Sequence, residues 1–287
     1  MSRIDLHIHS NFSGDATYDV KDIMKMAKEK QMEIIAITDH NSVAGVREAV
    51  LLGKKAGIDV IPGIEIDTRI EGIDFHMLGY EIDIESEEYQ ELEEYCHQQA
   101  IKKSWQAVEK FIKYYSLDIS KEVLEGLSVE GVIEPEDFAN YLLKEESYTD
   151  AEFLLPYRKN GSRSDNPNVN VFWDYFSQGK VAYVKEERIS YDRAIDLIHR
   201  TGGIAVIAHP GVNFKEKDDV LEKLLQKADG IEVFCSYHTE EQCEKYYEIA
   251  KKYDLKISCG SDFHGHNKPM VQIGKIPGKQ IEDYINI

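Results

Sequence analysis

Short apolar runs alternate with helix-period segments over the first third of the chain. "IDL" (4–6) reads as a strand and leads into "YDVKDIMKMAKEK" (18–30), where Val20, Ile23, Met24 and Ala27 mark one helical face. "IIAIT" (34–38) reads as a buried strand. "AGVREAVLLGKKAG" (44–57) follows as a helix closed by Gly57, and "DVIPGIEI" (59–66) as a third strand. "DTRIEGIDFHMLGYEI" (67–82) predicts two strands joined around Gly72. This rhythm of strand and helix points to parallel strands with crossover helices.

From about residue 85 the pattern changes. Residues 86–150 read as acidic helices with turns near Leu117 and around "EPED" (134–137), and "LPYRKNGSRSDNPN" (155–168) as an exposed loop. Near residue 180 the first pattern returns. "VAYV" (181–184) is expected as a strand and "SYDRAIDLIHRTGG" (190–203) as a serine-capped helix stopped by glycine. "IAVIA" (204–208), "IEVF" (231–234) and "KISCGS" (256–261) are further strands, with helices over 218–230 and 239–255. No internal repeat is visible. The expected architecture is α/β: one barrel-like domain built from residues 1–85 and 180–287, interrupted by a mostly helical insertion or lid over 86–179.

The formal net charge of −19 argues against an extended basic groove for duplex nucleic acid. It leaves room for a small anionic substrate, because exposed charges are screened beyond about 8 Å at physiological ionic strength. No apolar run approaches the roughly 18–20 residues of a membrane span, and the first residues lack the apolar core of a signal peptide. Four cysteines without framework spacing fit a reduced, cytoplasmic protein.

Candidate chemistry gathers at the C-terminal ends of the expected strands, where barrels assemble sites from loops far apart in sequence. His7 and His9 follow "IDL"; Asp15 comes shortly after; Asp39 and His40 follow "IIAIT". Glu65 stands in "IPGIEI", His76 in "DFHML", His209 in "HPG", and Asp262 and His264 in "SDFHG". A histidine at one strand end is ordinarily a hydrogen-bonded structural residue. Nine concordant positions are another matter, since six imidazoles and three carboxylates without a cation would be costly to desolvate and self-repelling when charged. Divalent ions remove that cost, because ligation uses neutral imidazole and ionised carboxylate. Nitrogen and oxygen donors without cysteine suit Zn, Mn or Fe. Nine ligands exceed one ion and fit two or three, leaving a local charge of about +1 or about +3 that favours a compact anion such as phosphate. Asp39, next to His40, is expected to orient rather than ligate.

"DLHIHSNFSGD", "AITDHN", "PGIEI", "HMLGY", "AHPG" and "GSDFHG", in this order, resemble the PHP (polymerase and histidinol phosphatase) family. The resemblance implies a distorted (β/α)7 barrel with a two- or three-metal phosphoesterase site. It implies that His7, His9, Glu65 and Asp262 hold one metal and that Asp15, His40 and His264 hold a second. His76 and His209, with Glu65 bridging, are implied to hold a third. The insertion and "IEVFCSYHTEEQ" (231–242) resemble one branch, which contains small nucleotide phosphoesterases and a 5′-to-3′ exonuclease trimming short RNA. Members of that branch often carry an Arg-x-His pair in the insertion, where this chain has "IEPEDFANYL" with Glu134 and Asp137.

The expected reaction is hydrolysis of a nucleotide or short-oligonucleotide phosphate ester by a metal-bridged hydroxide, with Glu65 and Asp262 as catalytic carboxylates. The branch implies phosphate binding or leaving-group protonation by His238. Arg158, Lys159 and Arg163 are candidates for closing over a phosphate, with a solvated loop as the alternative. His97, His199 and His266 stand apart from the chemistry. A histidinol-phosphatase-like enzyme would share every ligand, and a non-catalytic metal-binding regulatory module is the alternative of another class. The expected partners are a small phosphorylated substrate or short single-stranded RNA, with no duplex and no membrane.

Overall fold

Parallel pairing starts at the N-terminus, where β1 (Ile4–Ile8) lies beside β2 (Ile34–Ile37) and β2 beside the first residues of β3 (Asp59–Ile70). This arrangement comes from a computed structural model describing residues 2–215, 217–278 and 281–287. β3 is one continuous strand, where the sequence suggests a break after Ile66. Its alternation is unbroken, with Ile64, Ile66 and Thr68 on one face and Glu65 and Asp67 on the other. From Gly63 onward it pairs antiparallel with β4 (Ile73–Tyr80). Glu71 and Gly72 both have positive φ (47° and 83°), as a two-residue type I′ hairpin turn requires.

The sheet continues through β6 (Ile204–Ile207), β7 (Gly230–Cys235) and β8 (Lys256–Gly260) in the order β1-β2-β3-β4-β6-β7-β8. Only β4 runs against its neighbours on this path. The barrel closes where Asp262 N–H donates to His7 O (2.8 Å) and His9 N–H to Phe263 O (2.9 Å). The short β5 (Ile189–Ser190) pairs with Thr68 and Arg69 near the far end of β3, beyond the residues that pair with β2. The result is the distorted seven-stranded barrel that the PHP resemblance implies.

Helices α1 (Val20–Glu29) and α2 (Val46–Ala56) cover the first strands. Asp19 caps α1 by accepting from Asp22 N–H, and Gly57 ends α2 in the left-handed region. Val20, Ile23, Met24 and Ala27 are buried against Ile35, Ile37 and Val60, so the sequence period marks the true inner face.

Two compact units divide the chain: Met1–Glu93 with Arg188–Ile287, and Glu94–Glu187. The second contains most of α3 (Glu87–Tyr115), then α4 (Lys121–Leu127), α5 (Pro135–Lys144) and α6 (Pro167–Val171). Its own core centres on Phe111, Phe138, Leu142 and Phe176. Residues 181–184 form no strand. Ala182 is buried in this aromatic core with Val181 and Val184 packed against it, so their apolar character serves the helical unit rather than a sheet.

The first unit is completed by α7 (Tyr191–Arg200), α8 (Pro210–Asn213), α9 (Asp218–Leu224) and α10 (Glu240–Tyr253). Ser190 caps α7, and Thr239 with Gln242 forms a reciprocal capping box on α10. Among the described residues no helix is long and apolar enough to cross a membrane.

Candidate metal centre

Period-two alternation aims His7 and His9 in one direction from β1, and both are fully buried. Glu65 reaches the same point from β3. Its Oε1 lies 3.2 Å from His7 Nε2, 3.0 Å from His76 Nδ1 and 3.0 Å from His209 Nε2. Its Oε2 lies 3.1 Å from His9 Nε2 and 3.3 Å from His40 Nδ1. One buried carboxylate thus faces five imidazoles. Asp262 Oδ1 adds contacts of 3.4 Å to His7 and 3.1 Å to His9.

Among the described residues, potential ligand atoms within 4.8 Å of one another form four groups: His7, His9, Glu65 and Asp262; His9, His40 and His264; Glu65, His76 and His209; and His40, Asp67 and His76. The first and third bring together the residues that the PHP resemblance groups as ligand sets. In the second, His40 and His264 meet as expected, with His9 beside them. Asp15 stands at the rim, 3.4 Å from His264 Nε2 and 3.9 Å from His40 Nε2, with its side chain 57% exposed.

His7 Nε2, His9 Nε2, His40 Nδ1, His264 Nε2 and Glu65 Oε2 are buried and have no hydrogen-bond partner among the described residues. Buried polar atoms are ordinarily paired, so unbonded nitrogens and oxygens converging on common points fit cations as their partners. Neighbouring groups hold the outer faces of the rings. His7 Nδ1 meets Glu232 Oε1 at 3.0 Å, and His9 Nδ1 meets Ser13 Oγ at 2.8 Å. These bonds leave the Nε2 lone pairs for the centre. Ser13 Oγ donates to Asp39, which also accepts from the Ser10 N–H and hydroxyl. Asp39 therefore acts on His9 through Ser13, and belongs to none of the four groups.

Electrostatics agree with this arrangement. Burial resists charge on His7, but Glu65, Glu232 and Asp262 outweigh it and hold the imidazole well above its usual range. Burial is likewise overcome at His40 by Glu65, Asp67 and Asp15, which raise it to about 9. His9 is lowered, by burial and by His40. Burial opposes ionisation of Glu65 and Asp262, yet the surrounding histidines keep both carboxyls well below the ordinary range. The backbone is strained here as well. His209 and Asp262 have φ of 25° and 57°, a cost on the order of 1–3 kcal/mol each. Hydrogen bonds from His209 N–H to Glu232 Oε2 (2.7 Å) and from Asp262 N–H to His7 O (2.8 Å) retain them.

Three expected substrate contacts are not available as the sequence suggests. His238 has both ring nitrogens engaged by backbone: Nδ1 with Val233 O (2.8 Å) and Nε2 with Gly211 N–H (3.1 Å). Neither is left for a phosphate or a leaving group. Arg158 donates to Leu143 O and Tyr148 O, and Arg163 makes a bidentate pair with Asp174 at 3.0 Å. Both arginines stabilise the helical unit's own loops, so the stretch is neither a phosphate clamp nor simply solvated.

Other neighbours escaped sequence reading. Asp67 lies 3.3 Å from His40 Nδ1 and 3.2 Å from His76 Nε2. Its spacing of two from Glu65 on one strand was the available signal. Glu232 sits inside β7 rather than at its end and carried none. Lys268 Nζ and Tyr237 Oη bind Asp262 Oδ2 at 2.8 and 2.6 Å.

Comparison with known proteins places this geometry. The chain is 30% identical over 267 residues to a 5′-3′ exoribonuclease of Haemophilus influenzae, covering 91% of this chain and 90% of the relative. It is 27% identical over 270 residues to a 3′,5′-nucleoside bisphosphate phosphatase of Chromobacterium violaceum, covering 92% and 88%. A solved chain from Bifidobacterium adolescentis, classed with the metal-dependent phosphoesterases, shares the fold with a TM-score of 0.70 at 22% identity, covering 98% and 94%. The pattern of the PHP domain itself matches residues 5–235, and the chain belongs to the PHP-domain family.

Proposed function

We propose that this protein is a metal-dependent phosphoesterase hydrolysing a phosphate ester of a nucleotide or short oligonucleotide. The observation that carries the reading is Glu65, a buried carboxylate facing five imidazoles, three of whose inward nitrogens have no hydrogen-bond partner among the described residues. Relatives over nine-tenths of the chain are named as an exoribonuclease and a nucleoside bisphosphate phosphatase, which supports a nucleotide rather than an unrelated phosphate ester.

Two or three divalent ions, Mn, Fe or Zn, fit the nitrogen and oxygen donors, and no cysteine joins the groups. Bound there, such ions supply Lewis acidity toward phosphoryl oxygens and activation of water. His7, His9 and Asp262 would hold one ion, His40 and His264 with rim-standing Asp15 a second, and His76 and His209 a third, with Glu65 shared. Glu65 and Asp262 keep the site anionic and ionised. Glu232 and the Asp39–Ser13 pair fix the tautomers of His7 and His9. Asp67 and Glu232 lower the positive charge expected from the nine ligands alone, while Lys268 and Arg188 add to it.

The test is a panel on metal-reconstituted protein: 3′-, 5′- and 3′,5′-phosphorylated nucleotides, histidinol phosphate and short 5′-phosphorylated RNA. Hydrolysis of one nucleotide class well above histidinol phosphate is the expected result. Inactivity on every compound at full metal occupancy would refute the reading.

A further inference from the structure

Asp262 divides its contacts between its two oxygens. Oδ1 faces inward, 3.4 Å from His7 Nε2, 3.1 Å from His9 Nε2 and 3.4 Å from His264 Nδ1. Oδ2 faces outward and accepts from Tyr237 Oη at 2.6 Å and from Lys268 Nζ at 2.8 Å. Tyr237 comes from the connection between β7 and α10, and Lys268 from the residue after the 3₁₀ turn Gly265–Asn267. Lys268 Nζ also lies 5.5 Å from the centroid of the Tyr237 ring, within cation–π range, so the two side chains brace each other as well as the carboxylate.

Glu65 is built differently, because both of its oxygens meet imidazoles. A carboxylate can ligate an ion through one oxygen or chelate it through both. At Asp262 the second mode is closed. With the carboxyl ionised, the lone pairs of Oδ2 are taken by a phenol O–H and an ammonium N–H. Both bonds are charge-assisted and short, which is the strong kind. Packing does not account for them, since Tyr237 is exposed and the Lys268 side chain is 35% exposed. Ordering a lysine side chain there costs rotamer entropy, and its bond to Asp262, not burial, offsets that cost.

We propose that Tyr237 and Lys268 are positioning residues that hold Asp262 to ligation through one oxygen, and so keep a coordination position free for an oxygen of the substrate phosphate at the ion of His7, His9, Glu65 and Asp262. This rests on the phosphoesterase reading. A hydrolytic metal site needs such an open position, whereas a structural site closes it. Chelation by Asp262 would fill the position and at the same time strengthen the hold on the ion. The lock on Oδ2 thus favours access over metal affinity, and its removal should move the two in opposite directions.

The experiment compares wild type, Tyr237→Phe, Lys268→Met and the double variant, each loaded with Mn or Co(II). Tyr237→Phe is the cleanest single change, since it removes a donor and leaves the charge as it was. Metal affinity is read by calorimetry, coordination by the visible absorption of the Co(II) form, and turnover on the best substrate of the nucleotide panel. In the double variant kcat/KM should fall about 10- to 100-fold, and in each single variant less. Metal should bind at least as firmly as in wild type, and the cobalt band should weaken as the ion gains a ligand. Metal affinity falling together with turnover in Tyr237→Phe would reduce the pair to structural support and overturn the proposal. Unchanged turnover or an unchanged cobalt spectrum in the double variant would overturn it too. A wild type inactive on every compound of the panel, with the cobalt spectrum still altered in the double variant, would defeat the phosphoesterase reading and leave the lock on Asp262 standing.

Discussion

Replacing Glu65 with glutamine keeps its shape and removes its charge, at a position with no solvent exposure. Five imidazole nitrogens lie 3.0–3.3 Å from its two oxygens, spread over all three proposed ion positions. The amide retains one acceptor but turns an NH2 group toward rings that need an anion. Removing one partner from a buried charged network costs about 3–5 kcal/mol. At about 1.4 kcal/mol per tenfold, metal affinity should fall roughly 100- to 1,000-fold or more. The assay is metal content by mass spectrometry after gel filtration, with turnover of the best panel substrate measured alongside. A second readout is independent of catalysis. Glu65 is the leading attraction holding His7 and His40 in their charged forms in the metal-free protein. Glu65→Gln should therefore release fewer protons on metal uptake, as counted by calorimetry in buffers of different ionisation enthalpy. A variant that keeps its full metal complement, with turnover within tenfold of wild type, would refute the central role given to this carboxylate.

Wild-type metal uptake should itself depend on pH. His40 is raised to about 9, so below that value the metal-free protein holds a proton that ligation must displace, and affinity should rise with pH until about 9; uptake without proton release at pH 7 would contradict this. Gly260→Ala should cost stability and metal affinity together, because a Cβ there would lie 2.0 Å from His7 Cβ and 2.9 Å from Glu232 Oε1. Forcing such a contact typically costs about 1–3 kcal/mol; an unshifted melting temperature would show that β1 and β8 part more easily than their packing implies. Arg163→Met should lower stability by at most about 1 kcal/mol, since its pair with Asp174 is partly exposed. KM should stay within about twofold, a change smaller than one typical net hydrogen bond; a large rise in KM would restore Arg163 as a substrate contact.

The expected barrel and eight of the nine proposed ligands in its interior were legible because they obey local rules. Strand alternation aims His7 with His9, and β-to-loop transitions place His40, His209, Asp262 and His264 at one end of the barrel. Asp15 was legible as a neighbour of His40 and His264, but not its exposure. The failures share a cause. "VAYV" has strand-like composition, yet which core claims it depends on the aromatic cluster of the helical unit. Arg158 and Arg163 look like free cations until Leu143 O, Tyr148 O and Asp174 are placed beside them.

The residues that tune the site were hidden for a further reason: their roles are defined across strands rather than along them. Glu232 matters because β7 sets it behind His7 and His209 together, by 3.0 Å to Nδ1 of one and 2.7 Å to the backbone N–H of the other. Arg188 stands outside every motif and reaches the cluster only through the two-residue pairing of β5 with β3. Sequence order exposes most of the candidate donors, since they sit where a strand gives way to a loop, although Glu65 and His76 lie inside β3 and β4. Partner choice among their neighbours depends on sheet register, and a one-residue slip would turn Asp67 away from His76 and Arg188 alike.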